Sequence, residues 1–203
     1  WRCKRCGCAW LDPRPTRDTI GLAYGSYYTH EPHQVETPPS PTVVGQLRRS
    51  LGNGYRNSRY NTRFVPATRL GKTLGKLFPL LTRPIDVEYR FLPVVEGTRS
   101  LLDVGCANGE WLLLARSAGW TVAGVEPDPV SRRLALERGI DVRATISASI
   151  EESHEFDYVT INHAIEHVHD PVAMLRDTYS LLKPGGGLFL DTPNIDALGH
   201  GLY

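Results

Sequence analysis

From residue 99 onward the chain alternates between short apolar runs and stretches of helical periodicity. Ser100–Val104, Thr121–Val125, Tyr158–Ile161 and Gly187–Asp191 have the length and apolar content of buried strands, and a weaker run lies near Val142. Between them, Glu110–Ala118, Pro129–Arg138 and Pro171–Leu182 read as helices. Strands that alternate with helices predict parallel pairing, right-handed crossovers and helices on both faces of the sheet. The expected fold is therefore α/β, a doubly wound Rossmann-like parallel sheet.

The region upstream follows another pattern. Ala67, Leu70, Leu74, Leu77 and Leu81 recur at steps of three and four, which predicts one apolar helix face. Arg69, Lys72 and Lys76 fall off that face. Gly71 and Gly75 weaken the helix, Pro79 is expected to kink or end it, and Pro84 to start another carrying Ile85, Glu88, Tyr89 and Leu92. Pro32, Pro38, Pro39 and Pro41 mark a linker. Three parts follow: a Cys- and aromatic-rich remnant over 1–30, a linker and basic helical insert over 31–98, and the α/β domain over 99–203. Neither end reads as natural, because no initiator Met precedes Trp1 and the chain stops shortly after the fifth strand. Truncation at both ends is expected.

Charge changes this picture in one place. Of 23 basic residues, nine lie between Thr37 and Ile85, and none of the 22 acidic residues does. The overall net charge of +1 conceals this asymmetry. It fits a solvated face on a helical cap whose apolar side packs on the α/β core. It also fits contact with a phosphate-bearing acceptor, or peripheral contact with an anionic membrane surface. Nucleic acid is disfavoured, since no recognition motif accompanies the charge. No run is apolar and long enough for a membrane span. The four cysteines do not form a secreted disulfide framework, which points to a reducing, cytoplasmic setting.

The densest chemistry lies at the end of the first strand. In Asp103-Val104-Gly105-Cys106-Ala107-Asn108-Gly109-Glu110, Gly105 permits a sharp turn and Gly109 permits close approach of a ligand or the next helix. Glu126, at the end of the second strand, can accept hydrogen bonds from both ribose hydroxyls of a nucleoside. A dinucleotide fingerprint needs a third small residue where this loop has Glu110, and a carboxylate is a poor neighbour for a pyrophosphate. Asp103 suits a cofactor carrying a sulfonium and an ammonium group instead.

As a set, LLDVGCANGEWLLLARSAGW, TVAGVEPDP, FDYVTINHAIEHVHDP and LLKPGGGLFLDTPN resemble class I S-adenosylmethionine-dependent methyltransferases of the type 11/12/23 group, over residues 99–196. The resemblance implies a cofactor set of Asp103, Gly105, Cys106, Ala107, Gly109, Glu126 and Asn162. It departs at Ala107, where the family usually has Gly. An alanine there would be strained if the turn needs a positive φ. The first 32 residues resemble the second half of a zinc-binding module that precedes such domains in one subgroup. Cys3 and Cys6 have the spacing of half a tetrahedral Cys₄ site. Zinc is expected in a full-length protein, and an incomplete site in these 203 residues.

Methyl transfer to oxygen or carbon calls for a general base. His163, Glu166 and His167 follow the fourth strand, and a helical turn would put the two histidines on one side, with Glu166 between them in the sequence. His167 or Glu166 is the candidate base. The alternative is that the pair only buttresses the loop. Asp191 is a further candidate. The implied acceptor is a small molecule or a nucleotide-sugar or glycan-linked compound. Two other readings stay open: an NAD-dependent Rossmann oxidoreductase, and a non-catalytic S-adenosylmethionine-binding module.

Overall fold

A computed structural model describes residues 2–9, 13, 15–16, 19, 42–94, 97, 99–151, 155–194 and 196–197. The proline linker and the aromatics Tyr24, Tyr27 and Tyr28 lie outside the described residues. Five strands, β1 (Arg99–Val104), β2 (Trp120–Val125), β3 (Asp141–Arg143), β4 (Phe156–Asn162) and β5 (Leu182–Asp191), form one sheet in the order β3-β2-β1-β4-β5. Every pairing is parallel. The chain order reverses between β1 and β4, so the crevice beyond their carboxyl ends is where a ligand is expected.

The helices are α1 (Val43–Tyr60), α2 (Leu70–Leu77), α3 (Pro79–Glu88), α4 (Glu110–Ser117), α5 (Pro129–Glu137), α6 (Ile146–Glu151) and α7 (Pro171–Ser180). Local chemistry sets several starts. Asp128 caps α5 by accepting from the Ser131 N–H at 2.7 Å, and Asp170 caps α7 by accepting from Ala173 N–H at 2.9 Å. In both, proline occupies the first turn, where its missing N–H costs nothing. At their amino ends the central strands are stapled by Asp157. Its carboxylate accepts from the Ser100 N–H and hydroxyl and from Lys183 Nζ, tying β1, β4 and β5. These donors, the Ser100 N–H foremost, hold the carboxyl down at about 2.

Two clusters make up the core, one for each face of the sheet. Leu102, Val104, Val125, Val159, Ile161, Met174 and Leu181 pack together on one side. On the other, Leu101, Leu112, Trp120 and Ile140 pack with Tyr60, Tyr89 and Leu92. The upstream segment thus contributes to the α/β core itself. Tyr60 and Tyr89 stack with ring centroids 4.1 Å apart, and both Tyr55 and Tyr60 donate to the Asp86 carboxylate.

The insert departs from its sequence pattern in three respects. Pro84 lies inside α3 and does not begin a helix; Pro79 opens α3 instead. The leucine stripe is not what joins the insert to the rest of the protein. Its outer members Leu70, Leu77 and Leu81 are exposed, and α2 buries its glycines instead. A Cβ on Gly71 would stand 2.2 Å from the Leu51 carbonyl oxygen, and one on Gly75 would stand 2.3 Å from the Tyr55 ring. The glycines that weaken helix propensity are the positions at which α1 and α2 touch. Elsewhere, β5 starts where a helix end was expected. Leu182 pairs with Phe156, the ladder shifts register, and it resumes at Gly187. The short helix α6 has no counterpart in the sequence pattern.

Gly71→Ala is expected to lower the free energy of unfolding by about 2 kcal/mol, because the new methyl group forces two backbones apart. The exposed Thr73→Ala on the same helix should stay within about 0.5 kcal/mol of the parent. Urea unfolding of the two variants checks the contact.

Candidate functional site

The crevice is walled by four segments: the loop after β1, the β2 end, the turn after β4 and the β5 end. The β1 loop turns through left-handed conformations at Gly105 (φ 80°), Ala107 (φ 51°) and Gly109 (φ 77°). Ala107 therefore carries the strain expected of a side chain at positive φ, of the order of 1 kcal/mol. The two glycines serve different needs. A Cβ on Gly105 would meet the Ala164 Cβ at 2.8 Å, so this residue lets the β1 loop and the β4 turn close on each other. A Cβ on Gly109 would meet Ile140 at 2.5 Å and Ala135 at 3.0 Å, so that glycine serves packing against α5.

Glu126 faces this loop and is held by it. Its Oε2 accepts from the Ala107 N–H at 2.8 Å and its Oε1 from the Asp128 N–H at 2.9 Å. Burial raises its carboxyl, while those two N–H groups pull it back. Each oxygen has used one lone-pair direction and keeps another. Arg132 fixes the following backbone by donating to the Glu126 carbonyl at 2.6 Å, and Arg138 does the same for the Asn108 carbonyl at 2.8 Å. Glu110 opens α4, where a negative charge complements the helix dipole.

Cys106 belongs to the core and not to the open face of the loop. Its thiol packs beside Gly124 and Leu112, and its N–H donates to the Val125 carbonyl. Burial, with the Asp103 and Glu126 charges behind it, pushes the thiol far up. The side chain is thus turned into the core, and the residue's part in the loop is that of its backbone.

Asp103 has a partner that the sequence reading missed. It is 1% exposed, and its Oδ1 accepts from Arg90 Nη1 at 2.5 Å and from the Thr160 hydroxyl at 2.7 Å. Oδ2 is buried without a hydrogen-bond partner. Burial raises this carboxyl against the opposing pull of Arg90 and Thr160. The guanidinium lies 3.7 Å above the Trp111 ring, and the indole N–H is anchored on the Glu88 carbonyl. Arg90 and Phe91 both have positive φ, near 50°, which aims the chain from α3 into the crevice. No motif signals Arg90, since its role depends on a left-handed turn and a contact across the sheet.

The β4 turn brings its three candidates together. His163 is left-handed, and a single 3₁₀ turn covers Ile165–His167. The turn is thus not the α-helical one expected, but the two imidazoles still flank one carboxylate oxygen. Glu166 Oε1 lies 3.7 Å from His163 Nδ1 and 3.8 Å from His167 Nε2, both longer than a hydrogen bond. Its Oε2 accepts from the Thr192 hydroxyl at 3.2 Å, which links the turn to the β5 end. Asp191 Oδ2 approaches His163 Nε2 at 3.8 Å. Asn162 pairs with Asp191 at the carboxyl edge of the sheet.

The N-terminal turn meets the segment after β5 through an Arg2–Asp196 ion pair. Cys3 N–H donates to the Cys8 carbonyl and Gly7 N–H to the Cys3 carbonyl, closing a tight loop. The Cys6 and Arg5 backbone N–H groups pull the Cys3 thiol down. Among the described residues no group of three or more His, Cys, Asp or Glu could hold a metal ion. Cys3 and Cys6 by themselves do not complete a tetrahedral zinc site.

Comparison with known proteins bears on this geometry. A family described as a methyltransferase domain matches residues 63–201. The chain is 37% identical over 122 residues to a protein of Xanthomonas axonopodis pv. citri named ubiquinone biosynthesis O-methyltransferase, covering 55% of this chain and 50% of that one. A protein of the same name from Pseudomonas entomophila is 38% identical over 104 residues, covering 47% and 45%. The chain spans about half the length of the curated relatives it matches. Among solved structures, a SAM-dependent methyltransferase from Archaeoglobus fulgidus is 26% identical, with a TM-score of 0.47 over 62% of this chain and 59% of that one.

Removing Arg90 would leave the Asp103 carboxylate buried without a counter-charge. Arg90→Ala is expected to cost about 3 kcal/mol of stability, and clearly less in an Asp103→Asn background. Equal losses in the two backgrounds, measured by denaturant unfolding, would show that the pair is not coupled.

Proposed function

The chain belongs to the methyltransferase-domain family, and from that premise we propose that it moves the methyl group of S-adenosylmethionine to a hydroxyl oxygen of a small organic acceptor. Family membership turns the reading away from the NAD-dependent oxidoreductase. The observation that carries the proposal is Glu126: a buried carboxylate facing a glycine-rich turn, fixed by two backbone N–H groups, with lone pairs left for a ribose diol. The unpartnered Asp103 Oδ2 suits the cofactor's ammonium group. Arg90 supplies a guanidinium beside it for the carboxylate of the same amino-acid end. Asp103 then acts partly through Arg90, which it holds in place.

The bound cofactor supplies an electrophilic methyl carbon. The protein's part is to align the acceptor, exclude water and take a proton. His167 would accept the hydroxyl proton as the oxygen–carbon bond forms and the methyl–sulfur bond breaks, with the demethylated thioether as leaving group. Glu166, held by Thr192, steadies the imidazolium. His163 and Asp191 complete the polar rim, and Asn162 lies at the strand end beneath it. The name shared by the relatives, ubiquinone biosynthesis O-methyltransferase, favours oxygen as the accepting atom and a small acceptor over a sugar-linked one. Cytoplasmic location and a zinc-bearing N-terminal module are further parts of this reading.

Calorimetry with S-adenosylmethionine and with NADH tests the cofactor: the first should bind and the second should not. Glu126→Ala should weaken S-adenosylmethionine at least about tenfold, from loss of charged hydrogen bonds. Unchanged affinity would sink the ribose assignment. Turnover is read as S-adenosylhomocysteine release across dihydroxybenzoates and nucleotide sugars, and binding without release on any of them would favour the non-catalytic module.

On the acceptor so found, His167→Asn should lower kcat about 10²-fold or more and abolish the acid limb of the kcat/KM profile against pH. A variant that keeps the limb would reduce the turn to a buttress.

A further inference from the structure

The insert presents a surface that the methyl-transfer reading does not use. Because α2 meets α1 through Gly71 and Gly75, its leucine stripe is left facing solvent. Leu70 is 67% exposed, Leu77 68%, Phe78 53%, Leu80 81% and Leu81 65%. These residues sit along α2 and at its joint with α3. Helices of a water-soluble domain normally bury such a stripe.

Basic residues border the stripe. Successive residues in a helix turn by about 100°, which places Arg69 and Lys76 on the flank of α2 nearer the leucines, while Lys72 lies on the far side, along the groove against α1. The groove has two adjoining parts that share Lys72. One, of about 390 Å³, is lined by Asn57, Ser58, Thr68 and Arg69; the other, of about 230 Å³, by Arg59 and Lys76. Arg83 adds a further exposed cation on α3. No acidic residue lies between Thr37 and Ile85 to offset this charge. The next two acids are engaged elsewhere: Asp86 accepts from Tyr55 and Tyr60, and Glu88 pairs with Arg56. Among the described residues no carboxylate pairs with Arg69, Lys72, Lys76 or Arg83.

We propose that the α2–α3 hairpin is a docking surface for an anionic lipid bilayer, with the leucines and Phe78 entering the acyl boundary and Arg69, Lys76 and Arg83 meeting the phosphate headgroups. A bilayer is the partner in which negative charge directly adjoins hydrocarbon, and this surface has the complementary order. A second copy of the chain would set like charges against each other. A nucleic acid would leave the leucines uncovered. The proposal is independent of the cofactor assignment, since none of these side chains lies in the crevice.

Co-sedimentation of the chain with vesicles tests it, using phosphatidylcholine alone and phosphatidylcholine mixed with phosphatidylglycerol. Binding is expected to the mixed vesicles only, and to weaken as salt is raised. Two exposed double variants, Leu77→Ser/Leu81→Ser and Lys76→Gln/Arg83→Gln, should each lower partitioning at least about tenfold. Their thermal unfolding and S-adenosylmethionine affinity should stay at the parental values. No binding to the mixed vesicles, equal binding to neutral ones, or unchanged binding by either folded variant would overturn the proposal. So would a parental dimer in light scattering that the leucine variant dissolves, or binding of inorganic phosphate with no vesicle binding.

Discussion

A carboxylate with 1% of its surface exposed has to be compensated inside the protein, and Asp103 is compensated by a residue thirteen positions upstream. Desolvating a charge costs several kcal/mol unless an opposite charge and hydrogen bonds replace the water. Arg90 and Thr160 provide these for Oδ1, from the end of α3 and from β4. One buried charge therefore fastens three parts of the chain at the mouth of the sheet. The left-handed backbone at Arg90 and Phe91 is tolerated because this pairing and the stack on Trp111 hold it.

The same pairing joins the insert to the site. The insert enters the core through Tyr60, Tyr89 and Leu92, and its last turn delivers Arg90 to the crevice. Its other side is organised by an opposite constraint. Gly71 packs on the α1 backbone and Gly75 on the Tyr55 ring, while Gly54 of α1 meets the Thr68 carbonyl, so α1 and α2 approach each other at their glycines. The leucines of α2 are displaced from the interface, and the helix shows both its apolar stripe and its basic flank to the surroundings. One segment thus has a polar anchor in the site and an amphipathic face away from it.

At the carboxyl edge, main-chain groups do much of the positioning. Glu126 is oriented by two N–H donors, and the Asn108 and Glu126 carbonyls by two arginines. Glu166 is oriented by a threonine from the next strand. Glu126 and Glu166 are therefore held in place before any ligand arrives, which lowers the ordering cost of binding.

The alternation of apolar runs was enough to read the parallel sheet, because strands buried on both faces must be continuously apolar and their crossovers must be helices. The Asp103–Glu110 loop and Glu126 were legible for a related reason: left-handed turns and a strand-end acid leave local marks. Local spacing likewise grouped His163, Glu166 and His167, although on a helical turn and not on the 3₁₀ turn that forms. Only the tertiary structure decided the rest. Cys106 turned inward because Gly124 leaves room for its sulfur, a contact between strands that no spacing records. Arg90 became part of the site through a contact across the sheet. Gly71 and Gly75 read as defects in a helix, since propensity is a property of the isolated segment. They became its interface once a second helix was present, and that choice sent the leucines outward.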